Sequence, residues 1–393
     1  MTPPKGLQVW AYPKPAPAWF FTATGAVHCH DHWLTCVCRH GRTCARSRDG
    51  AARPCVNHVP SRWPARAAPA SEYATQARSV ECVRWLQALP IIGRLAPMSG
   101  SLFSPSDVAF THAPLDRGDV LRDDPDALAR LWPHGRVLLI DAKGAALADA
   151  NGQPLLLDGA KLGDGLEVAI FLGLRDAVGW FCLPADIVPV QAPQRIDLRQ
   201  AAADWPAEIA TAFAYARAML HWQSRTRFCG VCGGAIAFRR AGFIAHCTHC
   251  QTEHYPRVDP AIIVAVSDGA RLLLGRQASW APGRYSVIAG FVEPGESLEQ
   301  TVAREVFEET RVHVQDCRYL GAQPWPFPGA LMLGFTARAP ATEVPQVTSE
   351  LEDARWVSHA EVSAALAGEA DIGLPPRISI ARALIEHWHR THG

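Results

Sequence analysis

Three carboxylates crowd one short segment of this 393-residue chain, at Glu305, Glu308 and Glu309. Ser297 and Gln300 precede them as a capping-box pattern, which predicts a helix that begins at Ser297. At about 100° per residue, Glu305 and Glu309 lie close together on this helix, with Glu308 to the other side of Glu305. Such a cluster of oxygen ligands suits Mg²⁺ or Mn²⁺, and an ordinary acidic face exposed to solvent is the alternative.

Four cysteines form a second cluster, as two C-x2-C pairs separated by fourteen residues. They are Cys229, Cys232, Cys247 and Cys250. Four thiolates surround Zn²⁺ tetrahedrally and leave no open position for water, so the pattern predicts a structural zinc site. Cys182 and Cys317 stand alone, and we expect buried free thiols at both. Free thiols suit a reducing cytosol, and we therefore expect a cytoplasmic location.

The elements that position these clusters follow from the hydrophobic pattern. Short apolar runs and a turn signal at Asn151-Gly152 predict an N-terminal α+β domain over 98–224, followed by a zinc ribbon over 225–255 and a third domain over 256–393. The predicted strands are 137–140, 168–171, 261–266 and 272–274, and the predicted helices are 207–222 and 378–388.

Residues 1–97 differ from the rest of the chain in charge and pattern. They hold 12 basic and 4 acidic residues, a net of +8, whereas residues 98–393 carry a net charge of −8. Without periodicity or an evident core, this segment is expected to be a disordered or misassigned N-terminal extension, with the functional protein beginning at Met98. An organellar presequence and a second metal site are the alternatives. The candidate ligands of that site are Cys29, His30, His32, Cys36, Cys38 and His40.

The acidic helix and the glycine-containing loop before it resemble the Nudix box, G-x5-E-x7-R-E-U-x-E-E-x-G-U, where U is aliphatic. The matching residues are Gly290, Glu296, Arg304, Glu305, Val306, Glu308, Glu309 and Val312. Arg311 stands where the family has glycine. That glycine ends the helix in a left-handed conformation, so we expect Arg311 to cost about 1 kcal/mol there without removing a metal ligand.

A second motif resembles the QPWPFPxS signature of the NADH pyrophosphatase family, although a rigid structural turn would also explain its prolines. It comprises Gln323, Pro324, Trp325, Pro326, Phe327, Pro328, Gly329 and Ala330. Ala330 replaces the final serine and removes one hydroxyl. The segment that starts at Tyr255 also resembles this family. The resemblance implies an α+β fold, with a Nudix α/β/α sandwich around a mixed sheet, preceded by a four-cysteine zinc ribbon and an N-terminal α+β domain.

The resemblance implies metal-dependent hydrolysis of the pyrophosphate bond of NAD(H), which gives NMN(H) and AMP. It assigns Mg²⁺ or Mn²⁺ to Glu305, Glu309, Glu350 and the carbonyl of Ala289, with Glu308 as the next candidate. Glu309 is our choice for assisting deprotonation of water, and all three box glutamates are candidate catalytic residues. Glu296 is expected to pair with Arg304 and brace the loop.

The substrate would meet residues outside the box. Tyr255, Trp325 and Phe327 would offer surfaces to the bases, and the backbone near Ala381 resembles a family segment that meets the substrate. Arg199 matches a substrate-binding arginine only loosely, and an exposed ion pair is an equal alternative. The rest of the 323–330 motif is assigned to substrate binding with them.

The resemblance also implies a homodimer, and no run of 18 apolar residues occurs that would span a membrane. Alternative functions are the removal of NAD caps from RNA 5′ ends, broader hydrolysis of nucleoside-diphosphate derivatives, and nucleotide sensing without catalysis. Arginines near the ribbon favour RNA, whereas the net charge of the body opposes it. These arginines are Arg225, Arg227, Arg239 and Arg240.

Overall fold

The computed structural model describes residues 108–393. The predictions made for residues 1–97, including the cysteine and histidine metal site, lie outside the described residues. Six α-helices and fifteen β-strands occur within the described range. None of these helices is long and apolar enough to cross a membrane.

The first domain is a six-stranded mixed sheet between helices. Strand order is β4-β5-β1-β2-β6, with β3 also beside β1, and only β1 and β5 run parallel. Leu138 packs with Phe213 on one face of the sheet, whereas Leu139 packs with Trp132 on the other. The strands are β1 (Arg136–Ile140), β2 (Ala146–Ala148), β3 (Leu156–Asp158), β4 (Ile170–Arg175), β5 (Val178–Pro184) and β6 (Gln194–Ile196). The helices are α1 (Pro125–Leu131), α2 (Leu198–Asp204) and α3 (Ala207–Arg225).

The long helix α3 leads directly into the ribbon, as the helical spacing over 207–222 predicts. The ribbon is a small antiparallel sheet of three strands, with three of the four cysteines in its turns and Cys247 at the end of its second strand. Its strands are β7 (Ile236–Arg239), β8 (Ile244–Cys247) and β9 (Glu253–His254).

The third domain is an α/β/α sandwich. Strand order is β13-β14-β10-β11-β15, β12 also pairs with β10, and β10 and β14 run parallel. Alternate residues of β10 serve two cores: Ile262 packs with Val302 of α4, and Ile263 packs with Leu384 of α6. The strands are β10 (Asp259–Ser267), β11 (Arg271–Arg276), β12 (Ile288–Phe291), β13 (Gln315–Trp325), β14 (Ala330–Arg338) and β15 (Asp353–Ser358). The helices are α4 (Leu298–Thr310), α5 (His359–Ala367) and α6 (Ile380–Thr391).

The α+β class and the sandwich are therefore confirmed, and several local predictions differ in detail. The strand expected over 168–171 begins only at Ile170, and the last helix begins at Ile380 rather than at residue 378. Cys182 is fully buried, as expected, whereas Cys317 is only partly buried. Cys317 lies on β13, which is an edge strand of the third-domain sheet.

Candidate active site and zinc ribbon

The acidic helix α4 begins where its capping pattern predicts. The Ser297 hydroxyl accepts a hydrogen bond from the Gln300 N–H at 3.3 Å, and the Gln300 side chain accepts one from the Ser297 N–H at 2.8 Å. Val302 and Val306 are buried beneath the helix. The same buried side of α4 carries Glu305 and Glu309, next to the valines, so packing against the sheet fixes the positions of both carboxylates.

Arg304 joins the loop to the helix. Its guanidinium lies 2.6 Å from a Glu296 carboxylate oxygen and 3.0 Å from oxygens of both Glu305 and Glu308. It also donates to the Phe291 carbonyl at 2.8 Å. The hydrogen bonds from Arg304 lower the pKa of Glu296 to about 2. The predicted pairing of Glu296 with Arg304 is confirmed.

Glu309 is the most isolated of the helix carboxylates. Its side chain is buried, with 5% of the residue exposed, and no cation of residues 108–393 forms an ion pair with it. Burial, together with the nearby charges of Glu305 and Glu350, raises the pKa of Glu309 to about 8. Burial is also the main cause of the raised pKa of Glu305. A bound cation would relieve this unfavourable concentration of negative charge.

Glu305 lies against β12, the strand that precedes the loop. Its carboxylate occupies the space where a side chain on Gly290 would project, so any larger residue at that position would displace this carboxylate. The peptide of Ala289 is adjacent, and Ala289 pairs with Ile263 of β10. The box glycine therefore leaves room for the Glu305 carboxylate against the backbone of β12.

Glu350 reaches this cluster through a loop that is attached to the end of α4. The Gln346 N–H donates to the Thr310 carbonyl at 2.8 Å, and the Thr348 hydroxyl donates to the Glu309 carbonyl at 3.3 Å. These bonds use helix carbonyls that have no partner within the helix. They hold Glu350 near enough to raise the pKa values of Glu305 and Glu309.

A cleft of about 880 Å³ lies on the α6 side of the third-domain sheet. It is enclosed by the first domain, by the loop between β11 and β12, and by the start of α6. Ile263 forms part of its wall and pairs with Ala289 of β12, the strand whose next residue, Gly290, faces Glu305. Side chains of chemical interest on its wall are Arg199, Trp280, Arg284, Trp325 and Ser379.

Gln323 and Ala381 both line the cleft, but the side-chain amide of Gln323 already forms hydrogen bonds with other residues of the protein. The amide nitrogen donates to the carbonyls of Ala109 at 3.1 Å and Ile378 at 2.7 Å, and its oxygen accepts from the Ile380 N–H at 2.8 Å. Gln323 is fully buried. It therefore positions the start of α6, where Ala381 lies.

Phe327 is held between two arginines of the first domain. The Arg199 guanidinium lies 4.0 Å and the Arg217 guanidinium 5.1 Å from the centre of its ring. Trp325 contacts the same ring, with 4.8 Å between ring centres. The loosely predicted Arg199 thus lies in the cleft and in contact with the aromatic motif.

Other predicted substrate-binding residues do not line the cleft within the described chain. Tyr255 is largely exposed, and its hydroxyl donates to Glu253 at 2.8 Å. Ala330 begins β14 and pairs with Trp325. The remaining residues of this group are Pro324, Pro326, Phe327, Pro328 and Gly329.

Trp280 and Arg284 line the cleft and are absent from the sequence-based assignments. They lie in the loop that connects β11 with β12, and the Arg284 guanidinium is 5.6 Å from the centre of the Trp280 ring. A tryptophan in a loop beside a Pro-Gly pair, shortly before the box, is the signal that could have found them.

The four cysteines converge as predicted. Their sulfur atoms all lie within 4.8 Å of one another, and no other group of three or more metal-binding side chains within residues 108–393 meets this limit. Two separations are 3.6 Å, between Cys229 and Cys250, and 3.5 Å, between Cys232 and Cys247. Zinc with Zn–S bonds of about 2.3 Å gives tetrahedron edges slightly below about 4 Å, so the cluster fits Zn²⁺.

Three family models match successive parts of this chain. The NADH pyrophosphatase-like rudimentary NUDIX domain matches residues 131–222, the NADH pyrophosphatase zinc ribbon domain matches 224–255, and the NUDIX domain matches 256–376. The NAD-capped RNA hydrolase NudC of Mycobacterium bovis is 39% identical over 288 residues, which cover 70% of this chain and 92% of that protein. This chain belongs to the NADH pyrophosphatase family of Nudix hydrolases.

Two further relatives match parts of this Nudix hydrolase. The NAD-capped RNA hydrolase NUDT12 of Homo sapiens is 40% identical over 191 residues, which cover 46% of this chain and 41% of that protein. A crystal structure of a NUDIX hydrolase from Nitrosomonas europaea aligns with a TM-score of 0.31 and 21% identity, and it covers 38% of this chain and 97% of that chain.

The Nudix domain implies dependence on a divalent metal, and the donor set on and beside α4 fits one. Glu305, Glu309 and Glu350 supply hard oxygen donors, which Mg²⁺ and Mn²⁺ prefer. Glu309, which is buried and has no cationic partner among residues 108–393, is the carboxylate that a bound cation would stabilise most.

Proposed function

We propose that this Nudix hydrolase cleaves the pyrophosphate bond of NAD(H) with water, giving NMN(H) and AMP. The observation that carries the proposal is the shared boundary at β12. One side of this strand contacts the Glu305 carboxylate through Gly290, and Ala289 pairs with Ile263 of the cleft wall. A diphosphate bound at this boundary would have its two nucleoside parts in the cleft.

The metal would be held by Glu305, Glu309, Glu350 and the carbonyl of Ala289, with Glu308 as an additional candidate. A divalent cation would neutralise the diphosphate charge and favour formation of the attacking hydroxide. Glu309 has a pKa of about 8 in the metal-free protein, and its carboxylate is the group that we assign to accept a proton from water. Arg304 holds Glu305 and Glu308 in place, because it forms an ion pair with each of them.

The cleft residues would bind and orient the nucleotide. Trp325 and Trp280 offer aromatic faces for a base or the nicotinamide ring. Arg199 and Arg284 offer guanidinium groups for phosphate oxygens, and the N–H of Ala381 is near the positive end of α6. Tyr255 remains a proposed contributor from outside the cleft.

Product analysis of NADH hydrolysis tests the proposal directly. With Mg²⁺ or Mn²⁺ added separately, we expect NMNH and AMP in equal amounts, and the more active metal identifies the preferred ion. Release of nicotinamide, or of inorganic phosphate, would contradict cleavage of the pyrophosphate bond. NADH binding without turnover in either metal would instead favour nucleotide sensing.

NAD-capped RNA is the second candidate substrate, because several relatives are named as NAD-capped RNA hydrolases. The same cleavage would release NMN and leave a 5′-monophosphate on the RNA. Of the four arginines near the ribbon, Arg240 already forms an ion pair, since its guanidinium lies 2.7 Å from the Asp123 carboxylate. The relative kcat/KM for free NADH and for NAD-capped RNA decides between the two substrates.

Broader activity on nucleoside-diphosphate derivatives, homodimerisation and a cytoplasmic location complete the proposal. They rest on family resemblance and, for location, on the free cysteines. Zinc in the ribbon would have a structural role, because four cysteines leave no open coordination position.

A further inference from the structure

A second cavity, of about 480 Å³, lies between the first sheet and the zinc ribbon. Its wall is formed by the turn after β1, by the second half of α3 and by the start of the ribbon. We name it the α3 groove and define it by five of its lining residues. These are Lys143, Arg217, His221, Arg227 and Phe238.

The α3 groove is more basic than its surroundings. Lys143, Arg217 and Arg227 are cations, whereas the acids on its wall are Asp141 and Asp186. Asp141 is already paired, with Arg195 at 3.5 Å. The groove therefore presents positive charge within a part of the chain, residues 98–393, that carries a net charge of −8.

Arg217 has an unused hydrogen-bond donor at this groove. Its Nε donates to the Gly144 carbonyl at 3.2 Å, but its Nη1 is buried and has no hydrogen-bond partner among residues 108–393. A buried guanidinium nitrogen without an acceptor is costly, and a phosphate oxygen would satisfy it.

The α3 groove and the cleft each contribute an arginine to the contacts of Phe327, which lines neither cavity. Arg217 contacts this ring from the groove, and Arg199, which lines the cleft, contacts the same ring. A polyanion whose end lies in the cleft would therefore meet Arg199 first and the α3 groove next.

We propose that the α3 groove binds the phosphate backbone of an RNA strand whose NAD-capped 5′ end lies in the cleft. The cations would contact successive phosphates, and Phe238, which is 39% exposed, would offer a ring for a base. The inference rests on the proposed function, because it extends the substrate outward from the same site. The proposal also gives two arginines near the ribbon different roles. Arg227 lines the groove and would contact RNA, whereas Arg240 is paired with Asp123.

The test compares wild type with Lys143→Ala/Arg227→Ala, two exposed positions outside the NAD(H) cleft. We expect kcat/KM for NAD-capped RNA to fall on the order of tenfold while kcat/KM for NADH is unchanged. The slope of log kcat/KM for RNA against log salt should become shallower by about 1.4, from two lost phosphate contacts. Arg130→Ala/Arg390→Ala removes the same charge from exposed positions elsewhere and should leave both substrates unaffected.

Equal losses for RNA and NADH, or no loss for either, would overturn the inference. Direct binding of a 5′-monophosphate RNA, measured by fluorescence anisotropy, keeps this result separate from catalysis. Weaker binding in the groove variant alone supports the inference, and equal binding in all three proteins overturns it. Failure of the wild-type protein to hydrolyse NADH would reject the proposed function. The anisotropy measurement would still show whether the groove binds RNA.

Discussion

Glu309 combines burial, negative neighbours and the lack of a cationic partner among the described residues. Its neighbours on α4 differ, because Arg304 contacts both Glu305 and Glu308. In the absence of metal, Glu309 is thus the carboxylate that the protein itself stabilises least.

Glu309→Gln should lower turnover of NADH while substrate affinity changes much less. General base assistance is typically worth about 10²–10⁴-fold, and loss of a metal ligand would add to this effect. Steady-state kinetics at saturating Mg²⁺ and Mn²⁺ measure both parameters. Glu299→Gln, at an exposed position of the same helix, is the control and should keep wild-type activity. Near wild-type turnover in a well-folded Glu309→Gln protein would remove Glu309 from the mechanism.

The same substitution should change the pH dependence of stability without added divalent metal. The pKa of Glu309 is raised from 4.5 to about 8 on folding, so between these values the folded protein holds a proton that the unfolded chain has released. The free energy of unfolding of wild type should therefore fall as pH rises through this range. At pH 8, Glu309→Gln should be more stable than wild type by on the order of a few kcal/mol, with little difference near pH 4.5.

Thermal unfolding at several pH values measures this difference, again with Glu299→Gln as the control. A constant difference between wild type and Glu309→Gln at all pH values would contradict the argument from proton binding.

At the scale of single residues, the sequence predicts those contacts that depend on spacing within a short segment. The capping of α4 and the pairing of Glu296 with Arg304 involve residues within one loop and helix, and both are confirmed. Trp280 and Arg284 were not assigned, because their place in the cleft depends on pairing with Gly373, which lies far along the chain, and the only local signal was the tryptophan beside a Pro-Gly pair. The metal and substrate roles themselves stay predictions.

At the scale of elements, the end of α4 departs from the family pattern. Arg311 has φ 60° and ψ 14°, which is the left-handed conformation that the family's glycine adopts easily. The backbone conformation is therefore retained although the residue is unsuited to it. The Arg311 guanidinium lies 5.2 Å from the centre of the Phe307 ring, which offsets part of the cost.

Arg311→Gly should raise the free energy of unfolding by about 1 kcal/mol, because glycine enters the left-handed region without a steric penalty. Chemical denaturation measures the change. Arg311→Ala removes the same long side chain and keeps the Cβ, so it should give no gain. Equal stabilisation by both substitutions would show that the side chain, and not the backbone, causes the cost.

The zinc ribbon is an element whose small sheet has little core of its own. Cys229→Ser or Cys247→Ser should release zinc and lower thermal stability, because zinc binding contributes directly to folding free energy. Metal analysis and thermal unfolding measure both effects. Cys182→Ser is the control: this thiol is buried in the first sheet, so its loss should affect stability but not zinc content. Undiminished zinc in the Cys229 and Cys247 variants would count against the site.

At the scale of the whole molecule, residues of two domains line the cleft. Arg199 belongs to the first domain, whereas Trp280 and the start of α6 belong to the third. Sequence predicted both sheets from their apolar runs. It could not predict that Phe327 would lie between Arg199 and Arg217, because that contact joins residues more than a hundred positions apart.

A chain that begins at Met98 should hydrolyse NADH with unchanged kcat/KM. The family domains match only residues from 131 onward, and residues 1–97 show no pattern of a core. Expression of both chains, followed by kinetics and thermal unfolding, tests this expectation. An insoluble or inactive short chain beside an active full-length chain would show that the first 97 residues are needed.

The buried amide of Gln323 has a consequence for the order of events during synthesis. Its carbonyl oxygen accepts from the Ile380 N–H, and its nitrogen donates to the Ile378 carbonyl, both more than fifty residues later in the chain. On a ribosome, Gln323 emerges with the acidic helix already made but before these partners exist, so its burial must wait for them. The nascent chain therefore acquires the carboxylates of the candidate metal site before the wall of the cleft, which is complete only after the final helix is released.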